Sequence, residues 1–235
     1  MKIAYQGIQG SYSESCARKI YPDCETISCK TFDDVFKIAS TDNEIMAIIP
    51  ESNRTTGNIG VEYLIFKYRL NIYEEKFYSI NHHLLALPGS NIEDIKNVYS
   101  HAQGLSQCSN FIKKNNLIEN VRADTAGSAK YISETKMKNG AAIASMESAK
   151  IYNLKILASD IQDEKGNATR FLLMGKSIKQ PDLKKEKYIT SFLFKLKNKP
   201  AALFQSLTGL SLRQVDMTKL QSFPEKGTFL SYFFF

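Results

Sequence analysis

The sequence predicts an α/β protein with two lobes and a small additional unit. Strand and helix patterns alternate through the first 180 residues, and the alternation restarts after the apolar segment at 80–87. The pattern then changes beyond residue 187. Alternating strands and helices are typical of sheets that are covered by helices. We therefore expect two α/β lobes divided near residue 80, followed by a small α+β unit at 188–235.

The composition is that of an ordinary globular protein and excludes several classes. Of 235 residues, 43% are hydrophobic, yet no apolar run reaches the roughly 20 residues that a membrane helix needs. The chain turns polar soon after Met1, which predicts no signal peptide and a cytoplasmic protein. The net charge of +7 is scattered, so we expect no nucleic-acid partner, and the basic segment at 176–187 is interpreted as a linker.

The cysteines predict neither disulfides nor a metal. They show no CxxC spacing and no histidine at a zinc-ligand distance in the sequence, which favours reduced, partly buried thiols. The four residues are Cys16, Cys24, Cys29 and Cys108. We expect neither a bound metal nor a cofactor.

In the first lobe, strands and helices are marked by short apolar runs with capping residues between them. In chain order we predict strand Ile3–Tyr5, a glycine turn and helix through Ile20, strand Cys24–Cys29, helix Thr31–Ile38 and buried strand Ile45–Ile49, ending at Pro50. The glycine turn, Gly7–Ser13, presents backbone N–H groups to an anion or simply satisfies backbone geometry, and the sequence leaves both open.

The second lobe repeats the pattern after the apolar segment at 80–87. The predicted elements are a strand ending at Val98–Ser100, helix Gly104–Lys114, strand Val121–Ala123, helix Ser128–Met137 and strand Ala141–Ala144. Ligands of open α/β sheets bind beyond the carboxyl ends of the strands. Polar clusters stand at such ends, at residues 52–57, 100–107, 124–126 and 167–171.

The last unit is predicted to be β-α-β-β. A strand at Tyr188–Leu196 precedes a helix that begins at Pro200, and strands follow at Val215–Ser222 and Thr228–Phe235. No helix pattern follows to cover the apolar last strand. We therefore expect this strand to need a partner surface, as in a homodimer or homotetramer.

Five segments in this order resemble the prephenate dehydratase family. They are the glycine opening Gly7–Ser13, the loop Pro50–Gly57, Ser100–Cys108, Asp124–Ala129 and Asn167–Phe171, the last of which is similar to the family's NxTRF. Segments Ala141–Ser145 and Ile161–Asp163 also match. The resemblance covers residues 1 to about 180. It implies a catalytic domain resembling periplasmic binding proteins, with a cleft between two lobes and a last strand that returns to the first lobe.

The resemblance implies an activity and a set of site residues. Prephenate, a dicarboxylate with a ring hydroxyl, loses carbon dioxide and water to become phenylpyruvate, in phenylalanine biosynthesis. The family's catalytic threonine matches Thr169, a hydroxyl donor for the departing hydroxyl group. Substrate contacts are implied for Asn53, Ser100, Gln107, Thr125 and Ser11. For such Ser and Asn residues, capping of loops and helices is the alternative.

Charged residues at the site are harder to assign from sequence. Arg170 either pairs with a substrate carboxylate or forms a structural ion pair. Ser52 stands where the family has an acidic residue, and Arg54 stands where it has a small hydroxyl residue. Arg54 either binds the substrate in a new way or fills the pocket. The three histidines, His82, His83 and His101, are left out of the catalytic set because the reaction needs no general base.

The unit from Tyr188 resembles the start of an ACT regulatory domain. Asn198–Leu203 is similar to the NKPGAL motif of such domains, and Gln221–Pro224 stands in place of ESRP. Contacts to an L-phenylalanine effector would then come from Ala201, Ala202, Leu203, Gln221 and Ser222. Both motifs are altered, and the domain's second helix and last strand are absent from the sequence pattern.

Two alternatives to a prephenate dehydratase stay open at this point. The chain could act on arogenate, the amino relative of prephenate. It could instead be a catalytically impaired homologue that only binds a small molecule, since a two-lobed α/β protein with a central cleft also describes solute-binding proteins. A phenylalanine sensor built on the ACT-like unit is a third, weaker hypothesis.

Overall fold

The computed structural model of the chain describes residues 1–178, 188–224 and 232–235. Two compact units are present, Met1–Ile178 and Lys179–Phe235. Within the described ranges, no helix is long and apolar enough to cross a membrane.

The first part of the first unit begins with alternating strands and helices. In chain order these are β1 (Lys2–Gln6), α1 (Tyr12–Ile20), β2 (Glu25–Cys29), α2 (Phe32–Thr41), β3 (Ile45–Asn53), β4 (Gly57–Asn58), α3 (Glu62–Tyr68) and β5 (Asn71–Ser79). Capping residues set the helix starts. Ser11 caps α1, and Thr31 forms a capping box with Asp34 at α2.

The second part continues the alternation. It contains β6 (His83–Ala86), a 3-10 turn at Ile92–Asp94, β7 (Asn97–Ser100), α4 (Ala102–Ser106), α5 (Ser109–Lys114), β8 (Ile118–Val121), α6 (Thr125–Thr135), β9 (Gly140–Ala144), α7 (Met146–Ile151), β10 (Lys155–Ala158) and β11 (Ala168–Gly175).

Two mixed sheets form the lobes of this unit. The first has the order β2-β1-β3-β11-β5 with β4 on β3, and the second has the order β10-β6-β9-β7-β8. The pairs of β1 with β2 and β3, and of β7 with β8 and β9, are parallel, whereas β11 runs antiparallel to β3 and β5. The α/β class predicted from the sequence is confirmed, and the late strand β11 lies inside the first sheet.

Apolar residues on both faces of each sheet form the cores. In β9 every residue is buried, and so are Ile45 to Ile49 in β3. Such fully buried runs are typical of strands that are covered on both faces by helices. The rigid sheet cores hold the strand ends at which the polar clusters begin.

β3 runs past Pro50 to Asn53, although the sequence predicted its end at the proline. β1 pairs with β3 only at Ile45 to Ala47, and β4 pairs only at Ser52 and Asn53. At Pro50 the strand therefore needs hydrogen bonds on one side only, the side of β11, and proline is tolerated where no partner needs its missing N–H.

Other predicted elements shift or divide. The predicted helix Gly104–Lys114 is two helices, because Cys108 is not helical and the Gln107 carbonyl accepts a hydrogen bond from the Asp163 backbone N–H at 2.7 Å. The predicted strand at 121–123 lies at Ile118–Val121, and the helix predicted from Ser128 begins at Thr125. β5 was not predicted, because this partly exposed edge strand has no continuous apolar run.

The second unit contains one helix and a small sheet in its described part. They are β12 (Phe194–Lys195), α8 (Ala202–Ser211), β13 (Ser222–Pro224) and β14 (Tyr232–Phe234), with β14 between β12 and β13. The strands predicted at 188–196 and 215–222 are thus much shorter. Residues 179–187 of the predicted linker and 228–231 of the predicted last strand lie outside the described ranges.

Candidate active site

Two strands bring together polar residues that are far apart in the sequence. In the antiparallel pair of β3 and β11, Thr169 lies directly opposite Asn53. Both side chains are buried, with 7% of Asn53 and 6% of Thr169 exposed. The register of this strand pair therefore joins the loop after Pro50 to the segment that begins at Asn167.

Backbone N–H groups fix the orientation of the Asn53 amide. Its Oδ1 accepts hydrogen bonds from the backbone N–H of Thr55 at 3.0 Å and of Thr56 at 3.2 Å. A backbone N–H can only donate, so this atom must be the amide oxygen. The Asn53 Nδ2 consequently donates to Asn167 Oδ1 and to Thr169 Oγ1, each at 2.9 Å.

The orientation of the Asn53 amide determines the orientation of two more amide side chains. Because Asn167 Oδ1 accepts from Asn53, its Nδ2 is the donor to Gln107 Oε1 at 3.1 Å. The Gln107 Nε2 then donates to Thr55 Oγ1 at 2.7 Å, and Thr55 donates to Asn53 Oδ1 at 2.7 Å. We call this closed set of Asn53, Thr55, Gln107, Asn167 and Thr169 the amide network.

Thr169 is left with a hydroxyl proton that the network does not use. Its oxygen accepts from Asn53 Nδ2, and within the described residues the hydroxyl donates no hydrogen bond of its own. A hydroxyl has one proton to donate. Within the described residues, the Thr169 hydroxyl therefore accepts one hydrogen bond and donates none.

A cavity of about 180 Å³ adjoins the network. Three network members, Thr55, Gln107 and Asn167, line it. The other lining residues are Thr56, Ser106, Gln162, Asp163 and Glu164. Thr169 does not line this cavity, but Asn53 connects it to Thr55 and Asn167, which do.

Asp163 supports the Gln107 side of the cavity. Its carboxylate accepts from the Ser109 hydroxyl at 3.0 Å and from the Asn110 backbone N–H at 3.1 Å, at the start of α5. Its backbone N–H binds the Gln107 carbonyl. The same contact that divides the predicted helix thus holds Gln107 at the network.

Arg170 forms the structural ion pair that the sequence left open. Its guanidinium donates to Glu75 at 2.7 Å and to the buried Glu51 at 3.2 Å. The strand pairing is irregular here, with Arg170 opposite Ser52 but Phe171 opposite Pro50, so Glu51 is the extra residue of a bulge. The Ser52 hydroxyl donates to Glu51 at 2.6 Å. A buried carboxylate thus lies directly beside Ser52, on Glu51.

Arg54 does not fill the site. The side chain is exposed, it is not among the cavity-lining residues, and its Nη1 faces the Gly166 carbonyl at 3.4 Å. Its substitution for a small hydroxyl residue leaves the amide network closed.

Three residues expected to contact the substrate are not members of the amide network. Ser100 is fully buried and donates to the Ile143 carbonyl at 2.7 Å. Ser11 accepts from the Glu14 backbone N–H as the cap of α1. Thr125 begins α6, where the Asp124 carboxylate already takes the Gly127 backbone N–H at 2.6 Å. Ser100 and Ser11 thus make the packing and capping contacts that were the alternative, and the substrate contacts of all three residues stay predictions.

The residues named for an effector lie in the second unit and are described by themselves. Ala201 precedes α8 with a left-handed φ of +60°, and Ala202 and Leu203 begin that helix. Gln221 exchanges two backbone hydrogen bonds of 2.8 Å with Phe235, and Ser222 begins β13.

The cysteines and acidic residues show no metal-binding arrangement in the part of the chain that is described. Burial raises the pKa of the Cys16 and Cys108 thiols to about 12. Both thiols are therefore protonated at neutral pH and are poor nucleophiles.

Comparison with known proteins identifies the family. The family model of prephenate dehydratase matches residues 3–179. The chain belongs to the prephenate dehydratase family. Arogenate dehydratase 2 of Petunia hybrida is 41% identical over 225 residues, which cover 95% of this chain and 57% of the Petunia protein. The chain thus spans less than three fifths of the length of that relative.

Solved structures of this fold cover the whole chain. A structure described as GqqA, a novel type of quorum quenching acylase, has a TM-score of 0.87 at 29% identity and is covered to 85%. A prephenate dehydratase from Arthrobacter aurescens in complex with L-Phe has a TM-score of 0.83 at 23% identity and is covered to 79%. The second likeness concerns the fold alone.

Sequence reasoning missed several residues that the structure brings to the network. Thr55 is a network member, and the Gln103 side chain donates to the Thr56 hydroxyl. Buried His82 contacts Gln107, and Glu51 pairs with Arg170. The signal for Thr55 and Glu51 was their place in the Pro50 loop, whereas nothing local distinguished His82 from a core histidine.

Proposed function

We propose that the protein is a prephenate dehydratase, a hydro-lyase that forms phenylpyruvate for phenylalanine biosynthesis. The observation that carries this proposal is the hydroxyl of Thr169, whose oxygen accepts from Asn53 while its proton is unused. Membership of the family supports the same reaction.

The reaction needs one acid and little other chemistry. The bond between the ring and its carboxylate breaks, its electron pair enters the ring, and the ring hydroxyl leaves with its own bonding pair. The departing hydroxide takes a proton to become water, so one proton is consumed for each carbon dioxide and water released. Thr169 donates a hydrogen bond to that leaving oxygen as its charge develops, and the proton that is consumed comes from solvent; a positioned donor contributes about 10²–10⁴-fold to the rate. Asn53 holds the donor, and Gln107 and Asn167 line the adjoining cavity.

A coupled assay with matched threonine variants tests this role. Thr169→Val keeps the shape and removes the hydroxyl, so phenylpyruvate formation is expected to fall by about 10²-fold or more. Thr169→Ser retains a hydroxyl and is expected to keep most of the activity. Thr41→Val, at an exposed hydroxyl that only contacts the Ile38 carbonyl, is the control. Equal turnover by Thr169→Val and wild type would exclude the role.

Arogenate is a second candidate substrate, and the cavity favours it. Asp163 and Glu164 line the cavity, and no lysine or arginine is among the lining residues in the described ranges. Both substrates carry two carboxylates, but arogenate carries an ammonium group where prephenate carries a keto oxygen, and a carboxylate on the protein attracts that ammonium group. The similarity to an arogenate dehydratase supports the same assignment.

Kinetics with both substrates separate these candidates. If Glu164 receives the ammonium group, Glu164→Gln lowers the ratio of kcat/KM for arogenate over prephenate by about fivefold. Glu119→Gln, at an exposed site on β8, is the control and leaves the ratio unchanged. A ratio that Glu164→Gln does not change would remove this residue from substrate selection.

The activity in the name of GqqA is not favoured by the site. An acylase commonly needs a hydroxyl or thiol nucleophile beside a base. The imidazole of His82 instead faces the Gln107 amide and the hydroxyl of Tyr12, and burial raises the pKa of Tyr12 well above its usual value.

The remaining assignments stay predictions about the whole chain. We propose residues 1–180 as the catalytic domain and 188–235 as an ACT-like unit that binds L-phenylalanine through the residues named above. The similarity of 198–203 to NKPGAL supports this proposal, and the changes in both motifs weaken it. A cytoplasmic homodimer or homotetramer is the expected form. Calorimetry with L-phenylalanine and sedimentation of the full chain test the effector and the assembly.

A further inference from the structure

His82 is a buried histidine that contacts the amide oxygen of Gln107, the atom to which Asn167 of the amide network also donates. Only 2% of His82 is exposed, and this residue directly precedes β6. Its backbone N–H donates to the Gln162 side chain at 2.9 Å, and its carbonyl accepts from the Ile161 backbone N–H at 2.9 Å. The backbone of His82 is therefore held by the segment that leads to β11.

The polarity of the amide network determines where the imidazole carries its proton. Gln107 Oε1 is an acceptor, because the backbone N–H groups of Thr55 and Thr56 fix Asn53 and, through Asn167, fix Gln107. His82 Nε2 lies 2.8 Å from this oxygen. Two acceptors at that distance would repel, so Nε2 must bear a hydrogen.

The other ring nitrogen then accepts. Burial lowers the pKa of the His82 imidazole below its usual 6.5, so the ring is neutral at neutral pH and Nδ1 carries a lone pair. The Tyr12 hydroxyl lies 2.9 Å from Nδ1 and 2.7 Å from the Asn81 carbonyl, and its proton serves these two acceptors.

We propose that His82 is a positioning residue for the dehydratase reaction, acting through an Nε2–H donor that holds the Gln107 amide in the orientation the network requires. The inference rests on the proposed function for its kinetic consequence. Gln107, Asn167 and Asn53 stand between His82 and Thr169, and neutral amides do not carry a proton along such a series. His82 thus orients the network and does not supply the proton of the reaction.

Two variants of His82 separate positioning from space filling. A glutamine can place its amide N–H near the site of Nε2, whereas an asparagine reaches only the site of Nδ1. His82→Asn is expected to lower kcat by about 10- to 100-fold with KM changed less than about threefold, and His82→Gln is expected to restore most of kcat. Equal kcat values for the two variants would overturn the proposal, whatever their thermal stabilities.

The neighbouring His83 provides the matched control. It is also buried, with 3% exposed, and its Nδ1 accepts from the Asp160 backbone N–H at 3.3 Å, away from the network. His83→Asn is expected to leave kcat within about twofold of wild type. A loss of kcat equal to that of His82→Asn would show that any buried histidine of this segment has the same effect, and would overturn the specific role.

Nuclear magnetic resonance of the full chain, labelled with ¹⁵N histidine, tests the inference without any enzyme assay. The expected result at neutral pH is a hydrogen on Nε2 and none on Nδ1 of His82. A hydrogen on Nδ1 alone would overturn the proposal even if the protein is an active dehydratase. Conversely, absence of turnover with prephenate and arogenate would refute the proposed function while the Nε2–H result still upheld the orientation of Gln107.

Discussion

The amide network and the glycine turn at Gly7 to Gly10 contain similar polar groups but leave different atoms free. In the turn, the Gly10 N–H donates to the Glu14 carboxylate at 2.7 Å. The Gly10 carbonyl accepts from Ser145 at 2.8 Å and from Ser148 at 3.0 Å. In the network, by contrast, the Thr169 proton has no acceptor among the described residues. A polar motif can bind a ligand only where the fold leaves a donor or an acceptor unused.

The glycine turn serves to fasten the two lobes. Besides the bonds of Gly10, the Gln9 carbonyl accepts from the Tyr152 hydroxyl at 2.6 Å. Gly10 has a φ of +88°, and a Cβ there would lie 2.9 Å from the Ser148 hydroxyl oxygen. Glycine is therefore required at position 10 for the left-handed backbone and for the close approach of Ser148. Of the two alternatives that the sequence left open, this contact is the one based on backbone geometry.

The largest expected effect comes from reversing one hydrogen bond of the network. Asn53→Asp preserves the size and the acceptor for the Thr55 and Thr56 N–H groups but removes the Nδ2 donor. Thr169 would then donate to the new carboxylate, so its proton would no longer be available. We expect kcat to fall by at least about 10²-fold, measured as phenylpyruvate or phenylalanine formation.

The control for this change is Asn153→Asp, at an exposed residue with a left-handed φ of 51° that aspartate also tolerates. It should leave kcat unchanged. Full turnover in Asn53→Asp would show that the unused proton of Thr169 is not needed for the reaction. The contrast between the network and the turn would then fail.

The next effect concerns the ion pair beside the network. Glu51→Gln removes the buried partner of Arg170 and is expected to lower the free energy of unfolding by about 2 kcal/mol, less than for a fully buried pair because Arg170 keeps Glu75. Glu75→Gln, on the exposed side, is the matched variant and should cost about 0–1 kcal/mol. Urea unfolding measures both losses of stability. A larger loss in Glu75→Gln than in Glu51→Gln would show that Glu51 is not the principal partner of Arg170.

At the glycine turn we expect a smaller effect, which lowers stability and leaves kcat unchanged. Ser148→Ala removes one of the two hydroxyl donors to the Gly10 carbonyl, which should cost about 1 kcal/mol of stability while kcat stays unchanged. Thermal unfolding and the same assay measure the two quantities. A drop in kcat without a loss of stability would assign the turn a role in catalysis and remove the contrast with the network.

The smallest effect lies in the second unit, outside both regions. Ala201 adopts a left-handed φ of +60°, which disfavours every residue with a Cβ, and the family motif has glycine there. Ala201→Gly should stabilise this unit by less than about 1 kcal/mol, because the greater flexibility of glycine when unfolded offsets part of the relief. Hydrogen exchange of the α8 amides measures it. Ala202→Gly, at the first residue of the helix, is the control and should not stabilise it.

The sequence by itself determined the α/β class, the family and the identity of Asn53, Gln107 and Thr169 as candidates. Short-range information was sufficient for these: strand and helix periods, capping residues, and motifs of a few residues in a fixed order. Even the wrong element ends, at Pro50 and within 104–114, arose where a distant strand or loop altered a local preference.

Only the tertiary structure decided which polar groups meet and which remain free. The register of β3 against β11 placed Asn53 opposite Thr169, the bulge moved a carboxylate to Glu51, and the loop at Asp163 turned Gln107 toward the network. It also placed Ser100 away from the network, against the Ile143 carbonyl. Hydrogen bonds between residues more than 100 positions apart depend on how strands are paired, and no local period in a sequence encodes that pairing.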